Sequence, residues 1–97
     1  MTNSTIFEIR RTNSFEKSLK KSIKKGLDIN LLKEIVFKLA NDIPLEKKNK
    51  DHQLKGDMKD FRECHIKDDW LLLYIKDRKK LILTLVDNGT HEYIFGK

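Results

Sequence analysis

The spacing of apolar residues changes at Phe61, and that change limits the folds that the sequence can adopt. Between residues 13 and 43, apolar residues recur every three or four positions, as on one face of an α-helix. From Phe61 onward, "FRECHI", "WLLLYIK" and "KLILTLVD" are short segments in which apolar residues alternate with polar ones or follow one another. Such segments are typical of β-strands, so the sequence predicts helices followed by strands.

The first predicted helix begins near Asn13, because Glu16 three residues later completes the pattern of an N-terminal cap. It ends near Gly26, a residue type that commonly terminates helices. At about 100° per residue, its predicted apolar face consists of Phe15, Leu19 and Ile23, and its opposite face of Lys17, Lys20, Lys21 and Lys24.

The second predicted helix starts after a cap at Asp28 and ends before Pro44. A short strand, "TIFEI" at residues 5–9, precedes both helices, and the polar segment 44–60 is predicted to be a loop. The apolar stripe of the second helix consists of Leu31, Leu32, Ile35, Val36 and Leu39.

The predicted order of elements is therefore β-α-α-β-β-β. Helices on one face of a mainly antiparallel sheet bury both apolar surfaces at once, so we expect an α+β fold. A chain of 97 residues suits one domain, and we expect residues 1–97 to form it. The tail "NGTHEYIFGK" is predicted to begin with a turn and to end in a helical turn or a short strand.

The net charge of +6 lies entirely in the first half of the chain. Residues 1–50 hold 12 Lys or Arg and 6 Asp or Glu, whereas residues 51–97 hold 9 of each kind. Basic surfaces attract phosphate backbones, acidic proteins and anionic membranes without choosing among them. Since no apolar stretch approaches the roughly 20 residues of a membrane span, and the N-terminus lacks the features of a signal peptide, we expect a cytoplasmic protein.

The three histidines, His52, His65 and His91, all lie in the second half. Strand alternation places Phe61, Glu63 and His65 on one face, and Arg62, Cys64 and Ile66 on the other. A lone histidine is usually a surface residue, and a lone cysteine on a strand is usually a small buried hydrophobe. The histidines could bind a metal with Asp69 as a fourth ligand, but the chain lacks a short His-x-x-x-His pair, so a metal site is disfavoured.

Two aromatic residues have more than one interpretation. Trp70, at the head of an apolar strand, is more often a core residue than a platform for a ligand. Phe95 could close the sheet as a hydrophobic latch. Either ring could also stack on a nucleobase, an interaction worth about 1–3 kcal/mol. The residues alone leave these alternatives open.

Three separated motifs, "DHQLKG" at 51–56, "FRECHIKDDWLLLY" at 61–74 and "GTHEYIF" at 89–95, resemble in order those of the YafQ branch of the RelE superfamily, the toxins of type II toxin–antitoxin pairs. The resemblance covers most of the second half, and the first half agrees only in layout. It implies two helices packed on a small curved, mainly antiparallel sheet. It also implies a ribosome-dependent endoribonuclease that cuts messenger RNA in the A site of the 70S ribosome without a metal or other cofactor. The implied partner is an acidic, partly disordered antitoxin.

The resemblance also implies roles for individual residues. His91 matches the proposed general acid, His65 or His52 the base, and Asp69 a residue that orients an imidazole or acts as base itself. Trp70 and Phe95 would hold or support the nucleotide, and these six positions would share one cleft. Histidine suits both proton transfers because its ordinary pKa is near 6.5.

One position departs from the family. Asp87 stands where the family usually has an arginine, which would neutralise the scissile phosphate. Lys55, Lys59 or Arg62 could supply that charge, although alternation could direct Arg62 away from His65. A catalytically weakened scaffold that mainly binds its antitoxin is therefore the alternative, and a generic basic RNA-binding domain, with Phe61, Trp70 and Tyr74 as its stacking residues, is a third interpretation.

Overall fold

The structure, a computed structural model, describes residues 5–96. Helices α1 (Asn13–Lys24) and α2 (Ile29–Ala40) follow strand β1 (Glu8–Arg11). Strand β2 (His52–Gln53) is very short and lies between two single-turn 3₁₀ helices, Lys47–Asn49 and Gly56–Met58. Three longer strands follow, β3 (Arg62–Lys67), β4 (Trp70–Asp77) and β5 (Ile82–Gly89), and then the short helix α3 (His91–Phe95).

The five strands form one sheet in the order β1-β5-β4-β3-β2. Strand β1 runs parallel to β5, and the other neighbouring pairs are antiparallel. The predicted α+β fold with a mainly antiparallel sheet is confirmed. The prediction that residues 44–60 form only a loop is incomplete, because β2 lies within them and pairs His52 with Glu63. A two-residue strand is too short to show an alternating pattern.

Helix α1 starts one residue earlier than its sequence pattern indicates. Its N-cap is Thr12, whose hydroxyl accepts the backbone N–H of Phe15 at 3.0 Å, and not Asn13. Phe15 is buried as predicted, but Ile23 is 52% exposed. The face toward the sheet instead carries two buried serines, Ser18 and Ser22, because they meet the polar side chain of Asn88 on β5.

Helix α2 agrees with its prediction. Asp28 caps it by accepting the backbone N–H of Asn30 at 3.0 Å. Leu32, Ile35 and Leu39 are buried against the sheet and join one hydrophobic core with Phe7, Phe15, Leu72 and Leu83. No helix of residues 5–96 is long and apolar enough to cross a membrane.

The two faces of the sheet have different contents. Cys64, Leu72 and Asn88 are cross-strand neighbours on the face that α1 and α2 cover. Glu63, Leu73 and Asp87 are the corresponding neighbours on the opposite face. That opposite face carries β2 at one edge and contacts α3, and we call the space bounded by these elements the cleft.

Candidate active site

Three histidines surround one buried carboxylate in the cleft. Oε1 of Glu63 lies 3.3 Å from Nε2 of His65 and 3.9 Å from Nε2 of His91. Its other oxygen, Oε2, lies 3.8 Å from Nε2 of His52. The side chain of Glu63 is only 5% exposed, and Oε1 has no hydrogen-bond partner among the described residues. A buried oxygen without a donor is costly, so this atom is placed to receive a proton or a ligand.

The orientation of His52 is set by backbone geometry. Its Nδ1 lies 2.6 Å from the carbonyl oxygen of Lys50, so Nδ1 carries a proton and donates to that carbonyl. In the neutral ring, Nε2 is then the acceptor, and it faces Glu63. Just before His52, Asp51 accepts hydrogen bonds from the Tyr74 hydroxyl and pairs with Arg62 at 3.3 Å, which anchors the segment to β3 and β4.

His91 is oriented by a charged partner. Its Nδ1 lies 2.7 Å from Oδ1 of Asp69, in the turn between β3 and β4. The hydrogen bonds from the side chain and the backbone of His91 lower the pKa of the Asp69 carboxyl, so this group is ionised at neutral pH. The Nδ1–H of His91 therefore donates to this carboxylate, which leaves Nε2 directed toward Oε1 of Glu63, 3.9 Å away.

His65 and Phe95 complete the cleft. The rings of His65 and His91 are 5.4 Å apart, edge to face, and those of His91 and Phe95 are 6.1 Å apart. His65 is more enclosed than the other two histidines, with a side chain that is 19% exposed. The backbone oxygen of His65 accepts the side-chain amide of Asn49 at 2.8 Å, which fixes this part of β3. The cleft therefore presents three imidazoles and one partly buried aromatic ring.

Comparison with known proteins identifies relatives of this chain in sequence and in fold. The family described as "Bacterial toxin of type II toxin-antitoxin system, YafQ" matches residues 7–96. This chain belongs to the YafQ family. The mRNA interferase toxin YafQ of Escherichia coli K12 is 34% identical over 90 residues, which are 92% of this chain and 96% of that protein.

Two solved structures agree closely with this chain in fold. A metal-bound toxin from Helicobacter pylori is 45% identical, has a TM-score of 0.86, and is matched over 92% of this chain and 99% of its own. The E. coli DinJ–YafQ toxin–antitoxin complex gives 33% identity and a TM-score of 0.85 over 94% of this chain and 99% of that one. The predicted resemblance to the YafQ family is confirmed.

Trp70 does not line the cleft. It is 5% exposed, and its Nε1–H donates to Oδ1 of Asn88 at 3.1 Å on the helix-covered face. A buried ring has no free face on which a base could stack, so of the two expected roles, holding or supporting the nucleotide, only the second stays a prediction for Trp70. Tyr74 is fully buried as well, which removes two of the three stacking residues that a generic RNA-binding domain would need.

Arg62 and Lys55, the two basic residues expected to contact RNA, do not lie beside the three histidines in the same way as Glu63 does. Arg62 is on the opposite face of β3 from His65, where it donates to the Tyr74 hydroxyl at 3.1 Å and pairs with Asp51. Alternation and this pairing direct the Arg62 side chain away from the three histidines, and its contact with RNA stays a prediction. Lys55 is exposed just before the turn Gly56–Met58.

Asp87 lies on the cleft face, one strand away from Leu73 and two away from Glu63. Burial and the nearby Asp87 carboxylate raise the pKa of the Tyr93 hydroxyl in α3. The sheet face of the cleft therefore contains two carboxylates, those of Glu63 and Asp87, and an anion bound there would need positive charge from other residues.

Sequence reasoning missed Glu63 as a functional residue. Strand alternation did place it on the same face as His65, and this was the only signal that could have found it. The metal ligands considered from the sequence, the three histidines with Asp69, also differ from the group that the structure brings together. The structure instead groups Glu63, His65 and His91, with ligand atoms that all lie within 4.8 Å of one another.

Proposed function

We propose that this chain is the toxin of a type II toxin–antitoxin pair and that it cleaves messenger RNA in the ribosomal A site. The observation that carries the proposal is the contrast between His52 and His91. One imidazole has a backbone carbonyl at Nδ1, and the other has a carboxylate there. The first is suited to accept a proton at Nε2, and the second to give one. Membership of the YafQ family supports the choice of substrate.

The proposed reaction needs two proton transfers. A histidine Nε2, from His52 or His65, removes the proton of the ribose 2′-OH, and the 2′-oxygen attacks the adjacent phosphorus. The bond from phosphorus to the 5′-oxygen then breaks, and His91 gives its Nε2 proton to that oxygen. The products are a 2′,3′-cyclic phosphate and a free 5′-OH. A well-placed acid or base contributes about 10²–10⁴-fold to such a reaction.

Asp69 and Phe95 have supporting roles in this mechanism. Asp69 accepts the Nδ1–H of His91 and thereby directs Nε2 of the ring into the cleft, so it acts through His91 and does not need to touch RNA. Phe95, partly buried and beside the His91 ring, is available to pack against the base or ribose of the cleaved nucleotide.

The proposed partners are the 70S ribosome, its messenger RNA and an acidic antitoxin. YafQ of E. coli forms a complex with the antitoxin DinJ. The basic excess of residues 1–50 suits both an RNA and an acidic protein partner. The alternative, a silent scaffold that only binds its antitoxin, is favoured by Asp87, which would repel the phosphate.

Expression without an antitoxin tests the proposal. We expect growth arrest, and we expect the purified protein to cut a ribosome-bound message and leave a 2′,3′-cyclic phosphate. His91→Gln should abolish cleavage, whereas Asp68→Asn, an exposed neighbour of Asp69, should not. Soluble, folded protein that neither arrests growth nor cuts the message would support the silent scaffold instead.

A second property, binding of a transition metal, is favoured by the group Glu63, His65 and His91. Two imidazole nitrogens and one carboxylate oxygen suit Zn²⁺ or Cu²⁺, and the unpartnered Oε1 of Glu63 fits a ligand atom. A related toxin from H. pylori has been solved with metal bound. Because a metal here would occupy the nitrogens needed for proton transfer, we propose that it would inhibit cleavage.

Calorimetric titration with Cu²⁺ separates this property from activity. We expect one site in the unmodified protein and in Asp68→Asn, and at least tenfold weaker binding in Glu63→Gln. Equal affinity in all three proteins would place the metal elsewhere.

A further inference from the structure

A second cavity opens beside His65, at the edge of β3 that β2 leaves uncovered. Strand β2 pairs only with Arg62 and Glu63 of β3. Within residues 5–96, the segment from His65 to Lys67 therefore has a strand partner on the β4 side and none on the β2 side. The cavity there has a volume of about 320 Å³. Its lining residues are Leu31, Lys48, Asn49, His65, Ile66 and Lys67. We call it the Lys48–Lys67 groove.

The wall of this groove is held in place by a buried polar contact. Asn49 is 6% exposed, and its side-chain amide donates to the backbone oxygen of His65 at 2.8 Å. Lys48 precedes Asn49 in the same 3₁₀ turn, and Lys67 follows His65 by two residues on β3. Both lysines therefore extend from backbone whose position relative to His65 is fixed.

The charge of the groove is positive. Two of its lining residues are lysines and none is acidic. Glu46 lies outside the lining, 3.8 Å from Nζ of Lys48, but both side chains of this pair are more than half exposed. An exposed ion pair of this kind contributes little and is readily replaced by a stronger anion. The groove therefore attracts anions next to His65.

An adjoining cavity of about 430 Å³ shares Leu31 and Lys67 with the groove and reaches Thr90, next to His91. Three carboxylates, those of Asp28, Asp68 and Asp69, line this adjoining cavity. They make it unsuitable for a phosphate, so the favourable position for one is on the Lys48 side of Lys67.

We propose that the Lys48–Lys67 groove binds the phosphodiester that neighbours the cleaved linkage in the RNA substrate. The two lysines supply positive charge beside His65 at the edge of β3, whereas Asp87 and Glu63 supply only negative charge on the cleft face. This inference rests on the proposed RNA cleavage. It assigns Lys48 and Lys67 to substrate binding, in place of the arginine expected at position 87.

The test combines protein variants with a neutral substrate linkage. Messages carrying one uncharged methylphosphonate at each linkage near the cut, other than the cut linkage itself, are compared on ribosomes. The proteins are the unmodified chain, Lys48→Ala/Lys67→Ala and Lys79→Ala/Lys80→Ala. The control lysines lie in the β4–β5 turn, at the other end of β4 from the β3–β4 turn, and contribute backbone N–H groups to Asp77 that alanine retains.

On the unmodified message, we expect kcat/KM to fall about tenfold in Lys48→Ala/Lys67→Ala, mainly through KM, and to stay unchanged in the control. At one linkage, the methylphosphonate should lower kcat/KM of the unmodified chain and the control by a similar factor, with little further effect on Lys48→Ala/Lys67→Ala. Equal losses for all three proteins at every linkage would overturn the groove while leaving RNA cleavage established. A folded, unmodified chain that cuts no message would overturn both.

Discussion

Oδ1 of Asp69 contacts His91 twice, at 2.7 Å from Nδ1 of the ring and at 3.1 Å from the backbone nitrogen. The β3–β4 turn thereby fixes both the start of α3 and the orientation of its first imidazole. The same carboxylate has a lowered pKa, first because of the His91 side-chain hydrogen bond, so it is charged across the neutral range. This contact joins two separate motifs through residues that are 22 positions apart in the chain.

Replacing Asp69 with Asn should therefore slow cleavage without unfolding the protein. The amide can still accept the backbone N–H of His91, but it lacks the charge of the carboxylate, so it holds the Nδ1–H of the ring more weakly. We expect kcat to fall by roughly 10²-fold while KM changes little. Single-turnover cleavage of a ribosome-bound message measures this.

Asp68→Asn is the matched control for that experiment. Asp68 is exposed, lies in the same turn and has a positive φ of 50°, which asparagine tolerates well. It should retain full activity. An Asp69→Asn variant that is as active as Asp68→Asn would remove Asp69 from the mechanism.

How much the sequence could predict depends on the range of the interactions. Helix α2, its cap at Asp28 and the burial of Cys64 follow from local patterns, and the structure confirms each of them. The start of α1 was misjudged because Thr12 and Asn13 are both good caps, and only packing on β5 decides between them. A local pattern therefore predicts a helix start reliably where the sequence offers a single good cap residue, as at Asp28, and less reliably where two are adjacent.

The cleft could be predicted only in part. The motifs identified the three histidines and Asp69, but not the central position of Glu63, which depends on contacts among β2, β3 and α3. Nor could they show that Trp70 turns away from the cleft toward Asn88, because that contact satisfies a buried indole N–H through residues on three different elements. Such polar contacts leave no periodic trace in the sequence.

Asn88 provides a direct test of that buried network. It is 1% exposed, its oxygen accepts from Ser22 at 2.7 Å and from Trp70 at 3.1 Å, and its amide donates to Ser18 at 2.9 Å. Asn88→Leu would leave Ser22 and Trp70 without these hydrogen bonds in the core, and would leave the Ser18 hydroxyl with its bond to the backbone oxygen of Phe15 at 3.1 Å. We expect the free energy of unfolding to fall by about 2–4 kcal/mol, measured by urea titration.

Trp70 is the only tryptophan in the chain, so its fluorescence reports on this network during the same titration. Ser22→Ala removes one of the four side chains and should cost only about 1 kcal/mol. If Asn88→Leu cost no more than Ser22→Ala, the network would have no special importance.

Gly89 is required by the close approach of α3. Its φ of +152° is unfavourable for other residues, and an added Cβ would lie 2.7 Å from Cδ2 of Tyr93. Gly89→Ala should destabilise the fold by about 1–3 kcal/mol and reduce cleavage, because His91 follows two residues later. The double variant with Tyr93→Ala removes the collision but not the backbone strain, so it should recover only part of the stability. Full recovery would assign the whole effect to the collision.

Stability at alkaline pH should depend on Tyr74 and Cys64. Burial, followed by the nearby Asp51 carboxylate, raises the pKa of both groups well above their ordinary values. Both groups therefore have a higher pKa in the folded state than in the unfolded state. Their contribution to the free energy of unfolding is fully present below the unfolded pKa values, about 8.5 for Cys and about 10 for Tyr, and is lost as the pH rises above those values. The free energy of unfolding should therefore decline in two steps, each approaching about 1.4 kcal/mol per pH unit.

Two variants assign these steps. Cys64→Ala should remove the decline that begins near about pH 8.5, and Tyr74→Phe the one that begins near about pH 10. Tyr74→Phe should also cost about 1 kcal/mol at neutral pH, because Asp51 and Arg62 lose their hydroxyl partner. Urea titrations at several pH values measure both effects. An unchanged slope above about pH 10 in Tyr74→Phe would show that the Tyr74 hydroxyl does not titrate with unfolding.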